Sequence, residues 1–521
     1  MRLSSAKEIQ KIDYLSSSKY KISSKIRMEI AGYKSFELIK KIYNPKKVLV
    51  IIGTGNNGGD GLVIARYLEL NGTNCEVLIV KNSSKSSSDY KENLKIIKKL
   101  EIKTLKELGS NKINSFDLIV DSIFGVGLNR KIDRKIGNII KKVNMSKLPV
   151  CSIDLPSGLD ADTGLTYGSC IKADITITFD FFKPGLLTDP GCNFTKDVHL
   201  VKLPTPVRLS EKLNNFFVEE SFFKKFFKKR DKSSNKGSFG HVLVIGGSKN
   251  MSGAINLAGL SAYKTGCGLV TLCVPKCISN TLKKKFPESV FIEIPNNSDG
   301  ITMDEDSFVD EIKKRLIKKP SAIVIGPGMG NRQGLLKLIK ESLLLFHCPI
   351  ILDADALNLT SDDINIIKKC KEEIVLTPHP GEMARIIKKD VKYVQENRIS
   401  IAKQVSRDTK AITILKGHRT IISSPRGEIY INGSGNEGMA TGGMGDSLTG
   451  IIASFIAQGY KPLEASTLGV FVHGKAADII SEKNTKRGIL ASEVIDMLPK
   501  TISQIEEESK RNIEVNKISN A

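Results

Sequence analysis

The chain of 521 residues has no tryptophan, and only 6% of it is aromatic. Its lysine-rich helical stretches lack the interleaved rings on which nucleic-acid bases stack. Cysteine is sparse and scattered: nine residues, an odd count, of which Cys267, Cys273 and Cys277 come nearest to a cluster. Their spacing is not the paired C-x-x-C of a zinc site, so the thiols read as reduced, small buried groups. The six histidines are equally dispersed. No apolar run reaches the ~18 residues that span a bilayer, and the opening MRLSSAKEIQ lacks the apolar core of a secretion signal. A cytoplasmic protein without a membrane partner is expected. Two further absences concern glycine loops. The stretch GNEGMATGGMGDSLTG, residues 435–450, has no lysine where a Walker loop needs one, which argues against a P-loop NTPase. After CEVLIV come Lys81, Asn82, Ser83 and Ser84 instead of the acid that holds a ribose in standard dehydrogenases.

What is present is ordinary for a globular enzyme: 40% hydrophobic and 26% charged, with a formal charge of +23. The length suggests about two to four domains. The lysines are spread through helical stretches such as KENLKIIKKLEIKTLKEL and EIKKRLIKKP. They read as a solvated surface that attracts anionic substrates without a specific nucleic-acid site.

Short apolar runs ending in glycine or polar turns alternate with helical stretches: KVLVIIGTG, CEVLIV, FDLIVDSIFG, LPVCSIDLPSG, ADITITF. This predicts an α/β fold with a doubly wound, mostly parallel sheet. SFFKKFFKKRDKSSNKGS breaks the pattern and reads as a domain junction, a packed linker helix being expected there. The strand-and-glycine texture restarts at GHVLVIGGSKNMSGA and continues to the glycine-rich stretch. Two domains are expected, residues 1–215 and 225–510, with a polar, frayed tail after Glu506.

In the first half, GTGNNGGDG follows a strand and precedes a helix, the setting in which backbone N–H groups meet phosphate. Asp121 in DSIFGVGLNR and Asp154 in SIDLPSGLDADTG stand at strand ends. Loops at the carboxyl ends of parallel strands converge. Asn57, Asp121 and Ser157 can thus meet, and their oxygens suit a hard cation of low charge. NNGGDG, DSIFGVGLNR, IDLPSGLDADTG and ADITITF followed by KPGL resemble the NAD(P)H-hydrate epimerase family, with a Rossmann-like three-layer sandwich. The resemblance implies potassium on Asn57, Asp121 and Ser157. It implies substrate contacts from Asn56, Asn57, Gly58, Gly59 and Asp60, from Gly125, Val126, Gly127, Leu128, Asn129, Arg130 and Lys131, and from Asp154. The substrate is a reduced nicotinamide nucleotide damaged by water addition to its ring. Asp154 is the candidate for proton transfer.

In the second half, Gly442, Gly443 and Gly445 leave successive N–H groups free at a helix start, and Asp446 sits in its first turn. A helix cap needs no such glycine run; an anion hole beside a base does. The combination suits phosphoryl transfer, in which positioning and charge neutralisation do most of the work. The second half resembles the ribokinase-like superfamily and, more closely, ADP-dependent NAD(P)H-hydrate dehydratases, through KGSFGHVLVIGGSKNMSGA, GPGMG, LDADALN, TPHPGEMARI, LKGHRTII, GMATGGMGD and HGKAAD. Glu437 stands where that family usually has proline. The resemblance implies that Ala254, Gly328, His379 and Asp446 hold the damaged cofactor. It places Lys416, Gly417, His418, Arg419, Thr420 and Gly445 on the nucleotide, ADP with Mg2+. Asp353 and Asp355 end a strand, where they either position magnesium or water or cap the next turn. Asp446 is the expected base. The expected partners are hydrated NADH or NADPH and ADP, in a homo-oligomer. A small-molecule kinase of the same superfamily is the competing reading; it leaves the first half's motifs without a part.

Overall fold

The computed structural model describes residues 1–80, 86–109, 112–223, 226–228, 230–295, 308–330, 334–483 and 485–518. Lys81, Asn82, Ser83 and Ser84 lie outside the described residues. The chain divides into two compact units, residues 2–214 and, with Met1, residues 215–521.

The first unit begins with helices α1 (Ala6–Ser18) and α2 (Ser24–Ile42). Its sheet contains β1 (Lys47–Ile52), β2 (Asn74–Ile79), β3 (Lys103–Leu105), β4 (Leu118–Ser122), β5 (Val150–Ile153), β6 (Ala173–Phe179) and β7 (Thr195–Val201), in the order β3-β2-β1-β4-β5-β6-β7. Every pairing is parallel. Strand side chains alternate between faces, and both faces of β1 are buried. Val48, Val50 and Ile52 pack with Ala31, Phe36 and Ile39 of α2 and with Leu62 and Ile64 of α3 (Asn56–Leu70). Leu49 and Ile51 pack on the other side with Ile136, Ile140 and Val143, from the helix Arg134–Met145. Helices on both faces make three layers. The strand order turns outward on either side of β1 and β4, which opens the crevice of a doubly wound sheet above their carboxyl ends.

The second unit is built on β8 (Asn215–Val218), β9 (His241–Ile245), β10 (Leu269–Pro275), β11 (Val290–Ile294), β12 (Ala322–Ile325), β13 (Ile350–Leu352), β14 (Ile374–Leu376), β15 (Ile412–Leu415), β16 (Ile421–Ser423) and β17 (Ile429–Asn432). Their order is β8-β17-β16-β15-β14-β13-β12-β9-β10-β11. The run from β11 to β15 is parallel. The strands β15, β16 and β17 form an antiparallel meander. The glycine-rich stretch opens α8 (Met444–Ala457), whose Leu448, Ile451, Ile452, Phe455 and Ile456 are all buried. It is covered by α6 (Ser252–Thr265), α9 (Pro462–Lys483) and α10 (Ala491–Ile518). A helix buried all round has little need of a polar face.

Two sequence expectations are corrected. The phenylalanine-rich stretch is not a linker helix. It begins as a 3-10 turn, Glu220–Phe223, and Phe223 is fully buried in the second unit's core with Phe222, Phe226 and Phe227 against it. Lysines flanking each phenylalanine pair hid this, because a short core insertion has no 3.6-residue period to read. Lys224, Lys225 and Lys229 lie outside the described residues. The tail also differs: α10 continues past Glu506 to Ile518 and accommodates Pro499 within it. No helix among the described residues is long and apolar enough to cross a membrane.

Candidate functional site

The first site lies above β1, β4 and β5. Three loops meet there because three adjacent parallel strands end there. Asp121, at the end of β4, is fully buried; Ser157 donates to it from Oγ at 2.6 Å and from its backbone N at 2.8 Å, and Ser152 Oγ donates at 2.8 Å. Burial pushes the Asp121 carboxyl up, against these hydrogen bonds. Asn57, in the first turn of α3, lies alongside. Its backbone carbonyl accepts from Ser122 Oγ at 2.5 Å. Its side-chain Oδ1 and Nδ2 are buried with no hydrogen-bond partner among the described residues.

Above this floor is a cavity of about 720 Å³. Asn56, Asn57, Asp60, Gly125, Val126, Gly127, Leu128, Asn129, Arg130 and Asp154 line it. Gly58, Gly59 and Lys131 do not line it. A Cβ on Gly58 would stand 2.1 Å from Gly53 O, and one on Gly59 would stand 2.5 Å from Met28 Cε. These two glycines let α3 start against the preceding turn and against α2. Lys131 is exposed. Gly125 has a different task. A Cβ there would meet Asp154 Oδ2 at 2.7 Å, so only glycine lets the loop pass over that carboxylate.

Four charged cavity residues escaped the sequence reading: Asp13 of α1, Arg27 of α2, Asp180 and Lys183. Arg27 bridges Asp13 and Asp180, the latter at 3.2 Å. Burial raises the Asp13 carboxyl to about 6, although Arg27 pulls it down. Burial drives Asp60 well above the usual range, with Asp154 and Asp13 adding like-charge repulsion. The only sequence signal for Lys183 was its place in KPGL just after β6.

The second site is at the start of α8. Gly443, with φ 87°, caps the helix, and Asp446 follows in the first turn. The cation missing from the glycine turn arrives from elsewhere. Lys416, just after β15, lies so close that a Cβ on Gly445 would be 3.1 Å from its Nζ. Lys416 Nζ also donates to Asp353 Oδ1 at 2.9 Å. Asp353 is 1% exposed and its remaining needs are met by Thr377 Oγ1 at 2.8 Å and Thr449 Oγ1 at 2.7 Å. Asp353 therefore anchors a lysine, a role the sequence reading did not consider. Asp355 accepts from Gly330 N at 2.8 Å. Between the two carboxylates, Ala354 holds φ 48°, a left-handed conformation that a non-glycine residue enters only under constraint.

The ionisation pattern follows from burial and these charges. Burial lifts the Asp446 carboxyl to about 7; Asp353 and Asp355 push the same way and Lys416 opposes them. For Lys416, burial works against the charge, but Asp353 and Glu382 outweigh it and raise the ammonium above its ordinary value. Glu382, 3.9 Å from Lys416, is raised to about 7 chiefly by burial. Glu382 lies within TPHPGE, where nothing in the sequence marks it as the buried neighbour of a lysine.

His379 is the N-cap of the helix Pro380–Ile387. Its Nδ1 accepts from Gly381 N at 2.9 Å and Glu382 N at 3.3 Å, while Glu382 accepts from His379 N at 2.8 Å. Burial, then Lys416 and Arg385, lower its pKa, so the ring is neutral and its Nε2 carries the proton. Ala254 and Gly328 face each other: a Cβ on Gly328 would lie 3.0 Å from that of Ala254. Gly417, His418, Arg419 and Thr420 form the turn between β15 and β16. Thr420 Oγ1 closes it onto Gly417 O at 2.9 Å, and Arg419 Nη1 reaches Gly433 O at 2.6 Å. Gly435 N and Asn436 Nδ2 donate to Asp478 of α9, both at 2.8 Å, which ties down the loop leading to the glycine turn. Glu437 is exposed and pairs with Lys486 at 3.1 Å, so its departure from proline removes no internal contact.

A family model described as NAD(P)H-hydrate dehydratase matches residues 242–500, and one described as YjeF-related protein N-terminus matches residues 24–185. The bifunctional NAD(P)H-hydrate repair enzyme Nnr of Moorella thermoacetica is 36% identical over 521 residues, which is 98% of this chain and 98% of its own. The chain belongs to the bifunctional NAD(P)H-hydrate repair enzymes. The Escherichia coli member of that name is 33% identical over 480 residues, covering 91% of this chain and 88% of its own. Among solved structures, the ADP/ATP-dependent NAD(P)H-hydrate dehydratase of Bacillus subtilis, co-crystallised with ATP/Mg2+, aligns with 56% of this chain and 98% of its own, at 30% identity and a TM-score of 0.49.

If Asp446 is the base of the dehydration, as the sequence leads one to expect, it works only when ionised. With its carboxyl at about 7, kcat/KM for dehydration is expected to fall about tenfold per pH unit below that value and to level off above it. A pH–rate profile that stays flat through neutrality contradicts this assignment.

Proposed function

We propose that the chain repairs hydrated NADH and NADPH with two centres. The first interconverts the R and S epimers. The second dehydrates the S epimer with ADP and releases AMP and phosphate. The observation that carries the reading is the Asp446 carboxylate in the first turn of a helix opened by glycines, with the Lys416 ammonium beside it.

Water is lost slowly from the damaged ring because hydroxide is a poor leaving group. Asp446 takes the hydroxyl proton as that oxygen attacks the terminal phosphorus of ADP and AMP departs. The N–H groups of the glycine turn and the Lys416 ammonium hold the transferring phosphoryl group. Phosphate then leaves, pushed by the ring nitrogen's lone pair. Loss of a proton from the neighbouring carbon restores the dihydropyridine. Magnesium, when bound with the nucleotide, supplies further neutralisation of phosphate charge. Asp355, whose charge reaches Asp446 and which has one hydrogen bond, from Gly330 N, is the carboxylate that would face a metal–nucleotide complex.

In the first centre, Asp154 takes the proton of the ring hydroxyl. The hydrated carbon becomes a carbonyl as its bond to the ring nitrogen breaks, and the same carboxylate returns the proton to that nitrogen. Reclosure on the other face gives the opposite epimer. Asn57 Oδ1 is buried and unpartnered, the Asn57 carbonyl accepts from Ser122 next to Asp121, and Ser157 bonds Asp121; with these oxygens Asn57, Asp121 and Ser157 would hold potassium, a hard monovalent cation. Potassium, when bound, supplies a counter-charge for Asp121.

Purified protein incubated with hydrated NADH and ADP should restore the near-ultraviolet absorbance of the reduced nicotinamide. A phosphorylated sugar or pyrimidine product without that recovery would sink the proposal. Asp154→Asn should lower epimerisation by about a hundredfold or more, the scale of lost general-base help, and leave ADP-dependent dehydration of the S epimer intact. Nuclear magnetic resonance of the two epimers, followed without nucleotide, measures the first effect.

A further inference from the structure

Lys183 lies just after β6, where the chain turns into the short helix Pro184–Leu187. Its side chain is 1% exposed, unusual for a lysine. Its Nζ donates to Asp154 Oδ1 at 2.6 Å, to Thr178 Oγ1 at 2.9 Å and to Phe179 O at 3.1 Å. An ammonium has three N–H donors, and all three are spent inside the protein. Lys183 therefore has no donor left for a substrate and acts through the carboxylate.

Asp154 is itself held in a constrained state. Its φ is 67°, in the left-handed region. Its Oδ1 faces Lys183, while its Oδ2 accepts from Val126 N at 3.2 Å and lies under the open face of Gly125. One oxygen is thus tied to a buried cation and the other is turned toward the cavity.

The surroundings make the cation necessary. Asp60 from α3 and Asp13 from α1 both feel the negative charge of Asp154, and Asp180 adds to the charge at Asp13. Arg27 of α2 is already engaged with Asp13 and Asp180. Among the described residues, Lys183 is the cation paired directly with Asp154.

We infer that Lys183 is a positioning residue of the epimerase centre, which fixes the orientation of the Asp154 carboxylate so that Oδ2 is presented to the substrate hydroxyl. The inference rests on the proton-transfer role of Asp154 proposed above.

The test uses the full-length chain, R-enriched hydrated NADH and no nucleotide. Lys183→Met should lower kcat for epimerisation by about a hundredfold or more with KM changed less than about threefold, the pattern of a lost transition-state interaction. The double variant Lys183→Met, Asp154→Asn should be no slower than Asp154→Asn alone, because the two residues act as one unit. Should Lys183→Met fail to fold, Thr178→Val keeps the charge but loosens its tether, and should lower kcat about tenfold, on the order of one lost charge-assisted hydrogen bond. An inactive Asp154→Asn beside a Lys183→Met, or in its place a Thr178→Val, within threefold of the parent would overturn the inference, as would losses that multiply in the double variant. An Asp154→Asn that epimerises normally would overturn the role of Asp154 instead.

Discussion

Asp446→Ala is expected to abolish ADP-dependent dehydration, lowering kcat by about a hundred- to ten-thousandfold, while epimerisation continues at the parental rate. Asp446 lies in the first turn of α8, so the change also removes a favourable charge from a helix N-terminus. That costs about 0.3–1 kcal/mol at most such sites. Here the carboxyl is raised to about 7 by burial, so its ionised form is already disfavoured by the fold and the loss in stability should be slight. A variant that dehydrates normally would remove the base from the proposed mechanism. A variant that loses both activities equally would mean that the two reactions do not have separate centres. Following absorbance recovery with ADP and epimer ratio without it distinguishes the cases on one preparation.

The second large effect is expected at Lys416. Lys416→Met removes the ammonium from the glycine turn, and kcat for dehydration should fall by about a hundred- to a thousandfold, the cost of deleting one preorganised partner of a developing charge. It also strands Asp353, which is 1% exposed and bonded to the Lys416 ammonium at 2.9 Å. Removing one member of a buried ion pair typically costs about 3–5 kcal/mol, so the second unit's thermal transition should drop. The two consequences separate in Lys416→Met, Asp353→Asn. That double variant no longer buries a lone carboxylate, and its transition should recover in part while its turnover stays low. If turnover returns with stability, Lys416 is a structural cation only.

The unbroken apolar run VLVII, ending in glycine, made β1 legible as a short buried strand, and its residues pack alternately into two separate layers. Asn57, Asp121 and Ser157 could be brought together from the rule that parallel strand ends share a crevice, and Ser157 Oγ does lie 2.6 Å from Asp121. Gly58 and Gly59 looked like ligand glycines, and the packing adds a second reason for them: a side chain there would strike Gly53 O or Met28. The phenylalanine-rich stretch looked like a linker because lysines surround it, yet Phe223 belongs to the core. Glu382 sat in a quoted motif with nothing local to mark it as buried beside a lysine.

The sequence by itself determined two α/β halves, their glycine turns, and the carboxylates Asp154 and Asp446 at their mouths. Those features depend on near neighbours in the chain: alternation, helical spacing and the conformational freedom of glycine. Only the tertiary structure decided which cation meets which carboxylate. Lys183 reaches Asp154 across 29 positions and Lys416 reaches Asp353 across 63. The strength of those pairs comes from burial, and burial is a property of packed layers that no local run of residues contains.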